Sequence, residues 1–510
     1  MELPSCPWQS LFLFSTLSLT LAASLIFLLK SRRRDEKELP PGPPALLFLA
    51  KFLALRLSIL DLPQILRELH ARHGPVISVR LFRPLVFVSD RYLAHRVLVQ
   101  SGVTFTDRPP VFEPGLLFTS GARNINAAPY GPYWRLVRRN LASVVLHPAR
   151  VSLFAPARRR TRDALVNDLL AAGGSDGSRP VAVRPLVRRA LYELFAYMCF
   201  GARLGPEVLD EIEELQMRVV GSILSYPVFY VFPSLTKRLF HKRWAAHMAV
   251  RGRLDQIFLP LIHARKVSAS RDDDGPPCYA DSLLGLRVPE EGDRPLTDGE
   301  LVSLCFEFLS AGTDGTVTLL EWIMAELVNR PEMQARVYEE VVRGKPELSE
   351  GDLRATAPYL NAVVLEALRL HPPVHFLLPH GVRRDGAEIG GYKVPRDAEV
   401  NVLVAEPGRD ETAWTAPLEF RPERFLDGGE GRDVDITGRK EIKMMPFGAG
   451  PRMCPAYTLA MLHLACFVGG LVRELEWLPP ADGEQVDMTE TLEFTTLMKH
   501  PLRARTIPRS

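Results

Sequence analysis

One cysteine, Cys454, stands in a glycine-bearing loop, Phe447-Gly448-Ala449-Gly450-Pro451-Arg452-Met453-Cys454-Pro455-Ala456, that opens directly into an apolar segment from Tyr457 to Val472. This juxtaposition requires a fold whose core receives a sulfur from a loop. Gly448 and Gly450 permit backbone geometry and close approach that a side chain would obstruct. Pro455 suits a first helical position, so the spacing predicts Cys454 as the N-cap, extended because a proline follows it. The positive end of the helix then favours thiolate over thiol. A single sulfur held this way suits one axial position on a metal, not a four-ligand zinc cage. Taken alone, Cys454 reads equally well as a buried, inert thiol.

The rest of the chain supplies a large core, since 46% of its 510 residues are apolar. A net charge of +3 gives no global reason for nucleic-acid binding. The six cysteines, with Cys6, Cys199, Cys278, Cys305 and Cys466 beside Cys454, contain no Cys-x-x-Cys pair. That pattern fits a reducing compartment. Cys199, Cys305 and Cys466 lie in apolar helical context and read as core fillers.

Leu11 to Leu29 is a 19-residue run without a charge, roughly the length that crosses a bilayer as a helix. Lys30, Arg32, Arg33, Arg34 and Lys37 follow it, against Glu2 before it. Basic residues favour the cytoplasmic side, so the body is expected to face the cytosol. The run exceeds the ~7–15 residues of a signal-peptide core, and the charge order is the reverse of one. The expected division is an anchor over residues 9–30, a basic stop and proline hinge over 31–45, and one catalytic domain over 46–510. The hinge contains Pro40-Pro41-Gly42-Pro43-Pro44, a stiff extended spacer.

Within the body, Val76 to Leu81 and Leu85 to Val88 flank Arg83-Pro84 and read as a hairpin, and Val400 to Val404 as another strand. Arg271 to Pro277 and Gly428 to Gly431 read as mobile surface connections. Thr297 followed by Glu300 is a capping-box pattern that opens the longest helix, which stops at Asn329-Arg330-Pro331. Its middle reads Ala311-Gly312-Thr313-Asp314-Gly315-Thr316. Interior glycines cost ~1 kcal/mol each against alanine, and this weak point is expected to loosen the ladder into a groove beside an acid. A packing kink is the simpler reading. Glu366 and Arg369, at i and i+3, share a helix face, and Arg424 in Phe420-Arg421-Pro422-Glu423-Arg424-Phe425 offers a third partner. Exposed, such a pair contributes little; buried, it fails when one member is removed.

Phe447, Gly450, Arg452 and Cys454 match the haem-binding signature of the cytochrome P450 superfamily at every fixed position but the last, where Ala456 replaces glycine. The anchor, the proline hinge, Trp134-x-x-x-Arg138, the long-helix groove, Glu366-x-x-Arg369 and the Pro-Glu-Arg-Phe element occur in the expected order. Across essentially its whole length the chain therefore resembles a microsomal, plant-type member, and it is most similar to family 89 subfamily A. The resemblance implies a mainly α cytochrome P450 fold with a small β-rich region, plus the N-terminal transmembrane helix. It also implies haem b with Cys454 as axial ligand. Trp134, Arg138 and Arg452, with His380, match positions that bond the haem propionates. Glu366, Arg369 and Arg424 match a structural network, and Asp314 an acid that relays protons.

The same resemblance implies a monooxygenase that inserts one atom of O2 into a hydrophobic small molecule. Electrons would come from NADPH-cytochrome P450 reductase, with the chain in the endoplasmic reticulum membrane. Arg135, Arg139, Lys440 and Lys443 would offer the reductase a basic face. Residues lining the pocket would include Phe112, Leu116, Phe118, the Ser222–Phe232 region, Phe308, Val374 to Leu378 and Phe494. One departure stands out. The groove usually reads acid-Thr-Thr, whereas here it reads Asp314-Gly315-Thr316, and Thr316 lies ~100° further round the helix. Two alternatives follow: an O2-independent haem-thiolate isomerase or dehydratase, and a non-catalytic haem-binding membrane protein.

Overall fold

The computed structural model describes residues 39–509, except 46–47, 49–61, 81–82, 175–176, 223–226, 231, 269–275, 344–349, 352 and 354–356. The expected anchor lies outside the described residues, as does most of the connection at 271–277. No helix among the described residues is long and apolar enough to cross a membrane.

Helices dominate. In chain order the elements used below are α1 (Leu62–His73), β1 (Val76–Arg80), β2 (Pro84–Val88), α2 (Pro132–Asn140), α3 (Ala155–Gly173), α4 (Val183–Phe200), α5 (Pro206–Ser222), α6 (His241–Ser268), α7 (Asp298–Asn329), α8 (Pro358–Leu370), β3 (His380–Gly381), β4 (Glu399–Val402) and α9 (Tyr457–Glu474). The β-branched runs pair as read: β1 and β2 are antiparallel with Val76 opposite Val88 and Arg80 opposite Pro84. Strand β4 then adds parallel to β2, and β3 antiparallel to β4, giving the order β1-β2-β4-β3. Strand β1 is therefore an edge, and the hinge covers part of it. Ser78 donates its amide to the Pro41 carbonyl at 2.9 Å and its hydroxyl to that of Pro40 at 2.6 Å. A Cβ on Gly42 would fall 1.9 Å from the Ser78 carbonyl oxygen, so only glycine fits that approach.

Helix α7 spans 32 residues, ~48 Å at the usual rise. Its start is the expected box: Thr297 Oγ1 accepts the Glu300 amide at 3.3 Å, and Glu300 Oε2 accepts the Thr297 amide at 2.7 Å. It ends where Pro331 opens the next helix. The expected loosening at Gly312 and Gly315 does not occur, and the helix runs unbroken through both. The glycines serve packing instead. A Cβ on Gly312 would lie 2.6 Å from the Phe195 ring of α4, so its absence lets α4 and α7 approach, whereas Gly315 meets only Pro373 Cβ, at 4.0 Å.

Cys199, Cys305 and Cys466 are buried core thiols. The Gly428 to Gly431 segment is held in place, unlike the mobile connection expected of it. Glu430 accepts the Thr415 amide at 3.0 Å and pairs with Arg424, and the Gly431 amide donates to the Arg424 carbonyl at 2.7 Å.

Candidate active site

The cysteine loop is built by two glycines in the left-handed region, Gly448 at φ 70° and Gly450 at φ 73°. A Cβ on Gly450 would sit 1.9 Å from the Leu98 carbonyl oxygen. The Cys454 amide donates to the Phe447 carbonyl at 2.8 Å, closing the loop. This closure corrects the expected cap. Cys454 belongs to the loop, the first helical residue is Tyr457, and Ala456 is the N-cap. Ala456 has φ −96° and ψ 15°, a conformation that needs no glycine, so the one departure from the signature costs the backbone nothing. Burial pushes the Cys454 thiol up, against the Ala456 amide bonded to it and the Arg138 charge, which pull it down. Metal coordination deprotonates a thiol outright.

Around that sulfur, donors converge from four chain segments. Trp134 and Arg138 come from α2, His380 from β3, Arg452 from the cysteine loop, and Arg108 from the segment before α2. Trp134 Nε1 donates to the Ile125 carbonyl at 3.1 Å. Arg452 donates to the carbonyls of Thr106 at 2.7 Å, Ile125 at 3.2 Å and Ala128 at 2.7 Å, with its guanidinium 4.5 Å from the Trp134 ring centre. Arg138 donates to the Met453 carbonyl beside Cys454. His380 Nδ1 donates to the Phe105 carbonyl at 2.5 Å.

Arg108 was invisible in the sequence, where it reads as an ordinary basic residue before two prolines. It donates to the carbonyls of Asn126 at 2.7 Å, Leu378 at 2.9 Å and Pro379 at 2.8 Å. Burial, then the Arg452 charge, lower its pKa to about 9, and burial lowers that of Arg452 to about 10. Burial and Arg108 depress His380 to about 3. Clustered, desolvated cations of this kind call for an anionic partner. The donor set fits a porphyrin that offers iron to one sulfur and two carboxylates to guanidinium forks.

On α7, Asp314 is buried and paired. Arg188 Nη1 of α4 donates to Oδ1 at 3.0 Å, and Gln216 of α5 donates to Oδ2. Burial raises its carboxyl, while Arg188 and Gln216 pull it down. Neither partner carried a signal in the sequence, because both reach Asp314 from helices distant along the chain. The Thr316 hydroxyl donates to the Gly312 carbonyl at 2.7 Å within its own helix.

Glu366, Arg369 and Arg424 come together as read, all fully buried. Arg369 forks onto Glu366 at 2.6 and 2.7 Å, and Arg424 Nε reaches Glu366 at 3.2 Å. Of the expected pocket residues, Phe308 packs in the core against Phe195 and Tyr279. Phe494 and Leu378 are exposed. Arg135, Arg139 and Lys440 are exposed as a basic face requires, and Lys443 is half-buried.

A mainly helical fold with a cysteine loop seated among half-buried arginines defines a haem-thiolate protein. Residues 40–507 match the family model for Cytochrome P450, and the chain belongs to that family. It is 40% identical to Cytochrome P450 89A9 of Arabidopsis thaliana, over 98% of each chain. It is also 29% identical to Beta-amyrin 24-hydroxylase of Glycine max, over 94% of each. A zebra fish cytochrome P450 solved with progesterone superposes with a TM-score of 0.71 at 24% identity, covering 88% of this chain and 99% of that one. The similarity to Cytochrome P450 89A9 agrees with the family 89 resemblance. Membership, with hydroxylases among the relatives, makes the chain a haem-iron monooxygenase, an oxidoreductase.

Proposed function

We propose that this chain is a membrane-tethered monooxygenase that inserts one oxygen atom of O2 into a hydrophobic small molecule, with electrons from NADPH through cytochrome P450 reductase. The observation that carries the reading is that Arg138 bonds the Met453 carbonyl beside Cys454 while Arg108, Trp134 and His380 cluster about Arg452 of the same loop. Cys454 would hold the iron of haem b, and those donors its carboxylates. The bound haem supplies oxygen activation, with the thiolate favouring O–O cleavage.

The chain's own residues manage protons and access. Asp314 offers a buried carboxyl that can take up and pass on a proton, and Arg188 and Gln216 fix where that carboxyl points. Thr316 spends its hydroxyl hydrogen on Gly312 but keeps an oxygen that can accept. At Gly315 there is room for a water in place of a hydroxyl side chain, given polar partners. Relatives named as hydroxylases, including Beta-amyrin 24-hydroxylase, support a lipophilic substrate. The exposed Arg135, Arg139 and Lys440 suit an acidic flavoprotein.

The test is spectral and stoichiometric. Reduced protein with carbon monoxide is expected to give the thiolate-haem band, and Cys454→Ala to abolish it; persistence in the variant overturns the ligand assignment. A binding screen against lipophilic metabolites, then NADPH-dependent turnover with reductase, identifies the substrate. Turnover that proceeds anaerobically without reductase would refute the reaction.

A further inference from the structure

Glu307 lies on α7 two turns before Asp314, and neither the motifs nor the mechanism above gives it a task. Its carboxylate clamps a stretch of chain that has no regular secondary structure. Oε2 accepts the Ile125 amide at 2.8 Å, and Oε1 accepts the Asn126 amide at 2.7 Å. The Asn126 N–H and the Ile125 C=O belong to one planar peptide unit and point in opposite directions. On the far side of that plane, the Ile125 carbonyl accepts Trp134 Nε1 and Arg452 Nη1. The next carbonyl, of Asn126, accepts Arg108 Nε.

We propose that Glu307 is a positioning residue for cofactor retention, setting the 125–126 peptides that in turn orient Arg108, Trp134 and Arg452 toward the haem carboxylates. The proposal rests on the haem-thiolate reading. Three features support it. Helix α7 is capped and unbroken, so a side chain on it has a fixed origin. A carboxylate gives each amide its own acceptor, whereas an amide side chain must turn an NH2 toward one of them. Hydrogen bonds in series through one peptide strengthen each other. The charge acts in the same sense, because Glu307 offsets part of the repulsion among Arg108, Arg138 and Arg452. Burial pushes its carboxyl up to about 7, opposed by the two amides and then by Arg108 and Arg138.

Haem loss from the full-length holoprotein to excess apomyoglobin tests this, with thermal unfolding followed on the same samples. Glu307→Gln is expected to speed haem transfer about tenfold, the loss of roughly one charge-assisted hydrogen bond. Glu307→Asp keeps the charge but is one methylene short, and should speed transfer by a smaller factor. Glu214→Gln alters an exposed carboxylate on α5 that pairs with Arg218 one turn on; its haem-loss rate should stay within about twofold of the parent. Combining Glu307→Gln with Arg108→Gln should accelerate loss by less than the product of the single effects.

The inference is overturned if haem transfer from Glu307→Gln stays within about twofold of the parent. It is equally overturned if Glu214→Gln matches Glu307→Gln, or if the double variant multiplies the single effects. Should Glu307→Gln not accumulate as folded protein, Glu307→Asp takes its place in each comparison. A parent without the thiolate-haem band defeats the cofactor reading itself; a normal parent with unaffected variants defeats only the role of Glu307.

Discussion

Arg369 shows how much one side chain carries. Besides its fork onto Glu366, it donates to the carbonyls of Gly408 at 2.5 Å, Pro417 at 2.6 Å and Glu419 at 3.0 Å. A lysine has three donors and no planar fork, so Arg369→Lys would leave carbonyls unpaired in the core and reduce the fork onto Glu366 to a single contact. The expected cost is about 3–5 kcal/mol, to be read by urea unfolding and by haem content; a loss under about 1 kcal/mol would mean the network is not structural. Gly315 makes the opposite case, since a side chain fits there with only Pro373 Cβ nearby, at 4.0 Å. With Gly315 the protein is expected to consume more NADPH than it forms product and to release peroxide, and Gly315→Thr to raise the product-to-NADPH ratio. Tight coupling that is unchanged in the variant refutes this. The ionic trio was legible because charge and i, i+3 spacing are written in residue types. Its carbonyl partners were not, since any residue can supply a backbone acceptor.

At the scale of elements, α7 was legible end to end because its box and its terminating proline are local signals. The hairpin followed from alternation for the same reason. Two local rules failed where tertiary contacts outweighed them. Pro455 reads as a first helical residue, yet the Cys454 amide is held by Phe447 and the helix waits until Tyr457. Glycine in a helix reads as a weak point, yet Gly312 sits where α4 presses Phe195 against α7. The two glycines should therefore respond oppositely to alanine. Gly315→Ala gains helix propensity, up to ~1 kcal/mol, with no clash to oppose it. Gly312→Ala gains the same but must displace an aromatic ring in the core, an overpacking cost of about 1–3 kcal/mol, so it should be destabilising on balance. Denaturant midpoints of the two variants decide the point, and equal shifts of the same sign would show that Phe195 yields freely. The partners of Asp314, Arg188 from α4 and Gln216 from α5, belong to the part no local signal could reveal.

For the whole molecule, the proposed tether makes a docked orientation testable. The hinge leaves along β1, pinned by Ser78 at Pro40 and Pro41, so a tether attached there departs in a fixed direction. A second feature bears on the same orientation. Phe232, Leu235, Leu239 and Phe240, on and beside the short helix Pro233–Leu239, are 65%, 55%, 65% and 46% exposed, an arrangement with no soluble purpose. Arg238, Lys242 and Arg243 stand exposed among them. Each apolar side chain fully withdrawn from water is worth about 1.5–3 kcal/mol, and each base near an anionic surface ~1 kcal/mol. A chain lacking residues 1–38 should still sediment with vesicles containing anionic phospholipid. Replacing Phe232, Leu235 and Leu239 together by serine should weaken that binding by about tenfold or more while the carbon monoxide spectrum stays intact. If the truncated chain stays in the supernatant at low salt, or if the triple variant binds as well as its parent, this helix does not face the membrane.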